Sequence, residues 1–500
     1  MKRCLPRTRG SAAFTVAVAS ALGLLGACST TSPQSAAPAT GRVDLPAQYT
    51  QTQTQTQTTA EAGQALTSTQ PNAENPVGWT QLGDPVLDTF IALALKNNQD
   101  LLIATTRTEQ ARAAQKREAL NKLPTLDVGA SASRDRASIN DSQVRAQAGQ
   151  PGFSRNSTTF RSDATLNWEL DLFGRQDALV SADHARAQAA AFRAQDIRLT
   201  VVSDVAKNVI TARTLQARIK LAQESAATEG DIVSMTRAKL RGGQISRADL
   251  LRAMALEQDS KATAARLQHD YGEAVKTLAV LLAETPEYVR LKLLVKPEAG
   301  SYTSAMSGLI ATGLPSDLLR RRPDIKSAEF QLAAASRDLA ASHAERFPAV
   351  RWGSTLALVA GTLAKLGSLD SLLTSLGPSI TWRALDFGRL DADIERAKGF
   401  EKEALIAYKK SVTTAFAEAD TALGDVVRRQ ALVQTTAASA AAQHEAWEVV
   451  QLQYEHGLTD LTTALDTKRA LYRSQESSAL ALQEQLLAAV TVYRALGGGW

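Results

Sequence analysis

The sequence predicts a mainly α-helical chain that also contributes strands to a membrane β-barrel, built as an internal two-fold repeat. Three observations predict it. WELDLFGRQDA, Trp168 to Ala178, nearly recurs as WRALDFGRLDA, Trp382 to Ala392, a shift of 214 residues. Two runs, Arg175 to Arg241 and Arg389 to Glu455, contain no proline and read as helices of 67 residues each, about 100 Å long at 1.5 Å per residue. Four short segments alternate apolar with polar residues, the period of a strand with two unlike faces.

The N-terminus reads as an address. Lys2, Arg3, Arg7 and Arg9 precede an apolar run of 14 residues, Ala12 to Leu25, too short to span a bilayer and of the length of a secretory signal. LGAC, Leu25 to Cys28, resembles a lipobox, in which Cys28 becomes the mature N-terminus and carries the lipids. In the lipoprotein families with this pattern an Asp after the cysteine implies inner-membrane retention. Ser29 stands there instead and implies the outer membrane. Two or more acyl chains make a stable anchor. Of 56 basic and 51 acidic residues, the signal removes four basic ones, leaving 52 against 51, a balance with no nucleic-acid footprint. Cys4 leaves with the signal, so no disulfide or cysteine metal site is expected within one chain. Beyond residue 28 no apolar run reaches 18 residues, so any crossing of a membrane falls to strands in a closed barrel.

Residues 29–46 are rich in Ser, Thr, Pro and Ala and read as a tether, and QTQTQTQTT (51–59) reads equally as a spacer or an edge strand. The repeat then extends well past the opening stretch. KLRGGQISRADLL around Gly243 matches QYEHGLTDLTTAL around Gly457 at the same shift of 214. Upstream the shift is 224, seen in NQDL (98–101) against RPDI (322–325) and KLP (122–124) against RFP (346–348). Each half therefore reads helix, proline stop, strand–loop–strand, Phe-Gly-Arg turn, long helix, glycine tip, helix. The length difference falls in the strand–loop–strand part, where insertions cost least. Heptad-like spacing runs through Val202, Val205, Val209, Ala212 and Ile219, and again through Leu482, Leu486, Ala489, Tyr493 and Leu496. Shorter helices are expected over 85–121, 245–283, 316–346 and 460–496.

A lipid-anchored coiled-coil scaffold would account for all of these helices but not for the strands. Leu126, Val128, Ala130 and Ala132 share one side of TLDVGASAS (125–133), and Phe160, Ala164, Leu166 and Trp168 one side of TFRSDATLNW (159–168). Val350, Trp352, Leu356 and Leu358 do so in 350–358, and Ile380 and Trp382 in 379–384. Apolar outward and polar inward is the pattern of a transmembrane barrel strand. Four strands cannot close a barrel, and open edges in lipid are prohibitive. Three copies would supply twelve strands and twelve helical columns.

With these features the chain resembles TolC/OprM-type outer-membrane efflux lipoproteins of the NodT-like group, over about residues 75–496. The most specific stretch is GLPSDLLRRRPDIKSAEFQLAAA, Gly313 to Ala335, joined by the lipobox, the two Phe-Gly-Arg turns and the two glycine tips. The resemblance implies a homotrimer with a twelve-stranded barrel in the outer membrane and a twelve-helix barrel across the periplasm. Its implied partners are a periplasmic adaptor and an inner-membrane RND-type pump, with no cofactor beyond the lipid and no nucleic acid. Its implied role is passive exit of drugs or other small toxic molecules; a protein-secretion duct of the same fold is the alternative. The expected organisation is signal peptide 1–27, lipidated tether and start of an equatorial belt 28–75, first repeat 76–290, connector 291–315 and second repeat 316–500. GGGW soon after the last helix implies a short C-terminal belt segment.

Family tips form the periplasmic aperture and the adaptor-docking surface, which maps these roles onto Gly243 and Gly457. Asp466 matches a family aperture acid, and the shift of 214 sets Arg252 at the equivalent place in the first tip. Opposite charges there suit a latch between neighbouring hairpins, with Arg247, Asp249 and Asp460 as further candidates. Phe173, Gly174, Arg175, Phe387, Gly388 and Arg389 are expected to form strand-to-helix elbows. RRRPD, Arg320 to Asp324, reads as a helix start with the acid near the positive end of the dipole. The histidines at 184, 269, 343, 444 and 456 lack metal-ligand spacing, and no P-loop or nucleophile elbow is present, so an enzyme is not expected.

Overall fold

The structure is a computed structural model that describes residues 84–148, 150–295 and 321–498. Cys28, the lipobox, the tether, QTQTQTQTT and most of the connector lie outside the described residues.

The described chain begins with α1 (Pro85–Asn97) and α2 (Gln99–Leu120), then β1 (Thr125–Arg136), the short α3 (Ser142–Gln147) and β2 (Asn156–Leu170). The long α4 (Arg175–Arg241) and its return α5 (Arg247–Leu282) follow, closed by α6 (Pro286–Lys292). The second half runs α7 (Pro323–Ala344), β3 (Ala349–Ala360), β4 (Leu372–Thr381), the long α8 (Arg389–Glu455) and α9 (Leu461–Ala495). Both 67-residue helices have the expected bounds.

Two expectations need correction. The helix expected over 85–121 is two helices, broken at Asn98, whose backbone turns to φ −59°, ψ 126°. The Asn98 side chain accepts from Leu101 N at 3.1 Å and donates to the Leu281 carbonyl at 2.9 Å, so it caps α2 and ties the break to α5. The fourth strand is Leu372–Thr381, not 379–384, and Trp382 lies just beyond it. The strand also runs through Gly377 and Pro378, with Pro378 opposite Trp352 in the ladder.

The sheet is antiparallel in the order β1-β2-β3-β4. Its registers place Leu126 on Leu166, Trp168 on Trp352 and Val350 on Ile380. One face therefore carries Val128, Leu166, Trp168, Trp352, Leu356, Leu376 and Ile380, and the other Asp127, Arg161, Asp163, Thr165, Glu169 and Arg351. The apolar face is the exposed one: Val128 is 77%, Leu376 70% and Ile380 71% accessible. On the polar face Arg161 pairs with Asp163 at 2.9 Å. Among the described residues no helix is long and apolar enough to cross a membrane.

Beneath the sheet α4 packs against α5, α7, α2 and α9, while α8 packs against α9 and α7. The main core is built of small and β-branched residues: Val202, Val205, Val209 and Ala212 of α4 are buried against Val275 and Leu278 of α5, with Ile219 half-buried beside them. Small side chains let the helix backbones approach closely while still removing apolar area from water. A second core, toward the glycine tips, joins both hairpins through Ile232, Val233, Trp447, Tyr454 and Leu465.

Two buried charges fasten the frame. Arg213 meets Asp84 at 3.1 Å and donates to the carbonyls of Leu293 and Val295 at 2.7 and 2.6 Å. In the RRRPD stretch Arg322 binds Asp324 at 2.7 Å, Glu418 at 2.8 Å and the Ala495 carbonyl at 3.0 Å, so it holds together the start of α7, the side of α8 and the end of α9.

Candidate functional site

At each elbow the strand must turn sharply into a long helix. Gly174 (φ 76°) and Gly388 (φ 86°) occupy the left-handed region at the N-caps of α4 and α8, a conformation that costs a residue with a Cβ about 1–2 kcal/mol. Neither glycine can cap with a side chain, and nearby aspartates do so instead. Asp171 accepts from Asp177 N at 2.7 Å, and Asp386 accepts from Leu390 N at 2.7 Å and Gly388 N at 3.1 Å. The Leu390 amide, chiefly, holds the Asp386 carboxyl below the usual carboxylate range. Phe387 also has a positive φ of 56°.

The two elbows share their fastenings. Trp168 Nε1 donates to the Lys122 carbonyl at 2.9 Å, and Trp382 Nε1 to the Arg346 carbonyl at 3.1 Å. Lys122 pairs with Asp177, and Arg346 with Asp391. All these partners are related by the shifts of 224 and 214. The elbows also differ. Phe173 stacks on Phe347 at 4.9 Å, whereas Phe387 is 85% exposed. Arg175 and Arg351 both reach Glu169, at 2.6 and 3.3 Å, whereas the residue 214 on from Glu169 is Arg383.

The tips are backbone constructions. After α4 the Gln244 amide bonds the Lys239 carbonyl at 3.0 Å, and after α8 the Leu458 amide bonds the Gln453 carbonyl at 2.8 Å. With Gly243 (φ 71°) and Gly457 (φ 73°) at the left-handed position, both are Schellman ends. The next helix is capped at once. Ser246 and Asp249 form a reciprocal capping box on α5, and Asp460 accepts from Thr463 N at 2.7 Å to cap α9. Those bonds, from the Ser246 hydroxyl and the Thr463 amide first, hold Asp249 and Asp460 below the usual carboxylate range.

Of the expected aperture residues, then, Asp249 and Asp460 serve as caps. Arg252 lies 3.7 Å from Asp249 of its own helix, one turn away. Arg247 and Asp466 are exposed, and among the described residues Arg252 and Asp466 form no ion pair with each other.

Sequence reasoning missed a buried polar cluster between the two hairpins near the tips. Glu229 is 4% exposed, with Oε1 3.4 Å from the Ser225 hydroxyl and no hydrogen-bond partner for Oε2 among the described residues. Burial pushes its carboxyl up, and burial likewise pushes the nearby Lys468 ammonium down. Lys468 Nζ sits 5.0 Å from the Trp447 ring centre. The only signal in the sequence was a glutamate among small residues, SAATEGD, which does not distinguish a buried site from a solvated one.

A strand set with an exposed apolar face and a polar reverse, standing on long paired helices, defines an outer-membrane channel protein of the TolC-like kind. The chain belongs to the outer membrane efflux protein family, whose model matches residues 90–284 and 314–498. It is 29% identical over 431 residues to the pyoverdine export outer membrane protein OpmQ of Pseudomonas putida, covering 84% of this chain and 88% of that protein. It is also 29% identical over 420 residues to the toluene efflux pump outer membrane protein TtgI of Pseudomonas putida, covering 83% and 86%. Among solved structures, the outer-membrane channel OprN superposes with a TM-score of 0.76 at 27% identity, over 92% of this chain and 98% of that one. The Campylobacter jejuni CmeC outer membrane channel has the same fold, with a TM-score of 0.76 at 21% identity, over 87% and 91%. The protein is an efflux channel of the outer membrane.

Proposed function

We propose that the chain is the exit duct of a tripartite efflux system, a homotrimer that passively conducts small organic molecules from an inner-membrane RND-type pump across the periplasm and outer membrane. The single observation that carries this is the sheet. Its apolar face is exposed, its reverse is polar, and among the described residues it has two unpaired edges, so it suits a twelve-stranded barrel shared by three copies rather than a closed unit of its own. The shared elbow fastenings support an internally duplicated subunit, with repeats near 76–290 and 316–500. The lipobox sequence supports Cys28 as the lipidated end of a tether over 28–75, and residues 291–315 are the connector between the repeats. The names of the relatives, which cite pyoverdine and toluene, support small organic cargo rather than protein.

Gly243 and Gly457 mark the periplasmic aperture and the surface that an adaptor engages. In the closed trimer Asp466 faces basic residues of a neighbouring hairpin, Arg252 first. An exposed pair contributes only about 0–1 kcal/mol, so three related pairs hold the aperture shut weakly enough for an adaptor to open it. Conductance of the purified oligomer in planar bilayers tests both levels. Discrete channels are expected, and Asp466→Ala raises either their conductance or their opening frequency. A protein that yields no channels refutes the duct, and channels unaltered by Asp466→Ala refute the latch.

A further inference from the structure

Among the described residues β1 and β4 form the outer edges of the sheet, and neither has a second neighbour. Leu126 and Val128 on one edge and Leu376 and Ile380 on the other are 64–77% exposed. Unpaired backbone amides are untenable in lipid, so both edges require a ladder. The internal shifts specify which. Adding 224 to β1 and 214 to β2 turns the observed pair Leu126–Leu166 into Val350–Ile380, and that pair is observed between β3 and β4. The same shifts applied to the β2–β3 ladder turn Glu169–Arg351 into Arg383–Asp127 and Trp168–Trp352 into Trp382–Val128. β4 and β1 stand at opposite ends of one sheet, so the second strand belongs to a second copy.

We infer that β4 of one copy pairs with β1 of the next with Thr381 opposite Gly129 and Ile380 opposite Ala130, locked at the polar face by an ion pair between Arg383 and Asp127. This rests on the trimeric reading above and adds its register and its lock. Several observations converge on it. Glu169 binds Arg351 at 3.3 Å within the chain; at the shifted positions the signs are exchanged but remain opposite. Arg383 and Asp127 are both exposed, and neither has an ion-pair partner among the described residues. The stacked pair Phe173–Phe347 maps onto Phe387 and Leu123, which are 85% and 57% exposed, so two apolar side chains left in solvent by one copy meet in the assembly. Farther down, the stacked pair Phe192–Phe330 between α4 and α7 maps onto Ile406 of α8 and Thr106 of α2, and Ile406 is 57% exposed. The register also keeps each face intact: polar Thr381 meets Gly129 on the polar face, and Trp382 meets Val128 on the apolar one.

Disulfide trapping in outer membranes from cells making the full-length chain tests the register. A disulfide needs Cα atoms roughly 4.4–6.8 Å apart, and a slip of two residues moves a partner by about 7 Å. The atoms nearest a Cβ at Gly129 are those of the Asp163 carboxylate, from 3.5 Å, an ordinary contact, so cysteine fits there. Thr381→Cys with Gly129→Cys is expected to give covalent dimers and trimers on non-reducing gels, at yields about tenfold above Thr381→Cys with Asp127→Cys or with Ser131→Cys. A heat-sensitive oligomer that crosslinks best at a slipped pair, or at none of the three, overturns the register while leaving the trimer standing. A chain that is monomeric in detergent overturns both. In a parallel measurement Arg383→Glu lowers the temperature at which the SDS-resistant oligomer dissociates, and adding Asp127→Arg restores it. A double variant no better than Arg383→Glu alone removes the ion pair from the interface.

Discussion

Replacing Arg213 by methionine isolates the charge that holds α1 to the hairpin core. The guanidinium is 9% exposed and its partner Asp84 is fully buried. The methionine stem keeps the packing and removes only the polar head. The carbonyl of Leu293 retains a donor, Gln216 Nε2 at 3.2 Å, and Val295 is 53% exposed and takes water. The loss therefore concentrates on Asp84. Breaking a buried pair by removing one partner costs about 3–5 kcal/mol. Asp84 still accepts from Val86 N at 2.9 Å at the positive end of α1, a cap worth about 1 kcal/mol, which places the cost near the lower bound. Asp84→Asn is milder, at about 1–2 kcal/mol, because asparagine caps equally well and Arg213 keeps two carbonyl acceptors. Amide hydrogen exchange of α1 reads these differences as local opening: roughly 3 kcal/mol corresponds to exchange about 150-fold faster. The double variant should recover part of the loss, with a coupling of about 1–2 kcal/mol. Strictly additive single effects, or Asp84→Asn as damaging as Arg213→Met, would refute a charge lock at this place.

Glu229 provides a pH test. Burial raises its folded pKa, so its contribution to stability is full below the ordinary carboxylate range and is lost as pH rises through the folded value. Glu229→Gln should flatten that loss, and hydrogen exchange of α4 near the tips at acid and neutral pH checks it; equal slopes in both proteins would exclude the group. Two glycines separate backbone cost from steric cost. A Cβ at Gly457 meets nothing within 4 Å, so Gly457→Ala costs about 1 kcal/mol and Gly457→Asn less. A Cβ at Gly497 meets the Arg321 backbone at 3.1 Å, so Gly497→Ala costs more, about 2–3 kcal/mol, and asparagine does not relieve it; thermal unfolding ranks the variants.

The long helices were legible because their ends carry backbone signals. Phe-Gly-Arg opens each one, a glycine tip closes it, and no proline intervenes. The face alternation of β1, β2 and β3 was legible for the same local reason. Features that depend on a distant partner were not. Asn98 breaks a continuous helical pattern because its amide reaches Leu281, 183 residues away. β4 runs through Gly377 and Pro378 because β3 supplies the ladder. At the tips the capping role of Ser246 and Asp249 was open to a local reading, since the two stand at the spacing of a capping box. Glu229 became distinct from other surface-like glutamates only once two hairpins closed over it.

The elbows and the tips stand at opposite ends of the same unbroken helices. α4 and α8, each 67 residues long, are levers of about 100 Å with Gly174 or Gly388 at the fulcrum. A tilt of one degree at the fulcrum sweeps the far end through about 1.7 Å at that length. Changes in backbone angle too small to disturb the sheet are thus amplified into displacements as large as an atom at the glycine tips. The precision demanded of the elbow joint, with its indole, its ion pair and its aspartate cap, is the precision with which the far end is aimed.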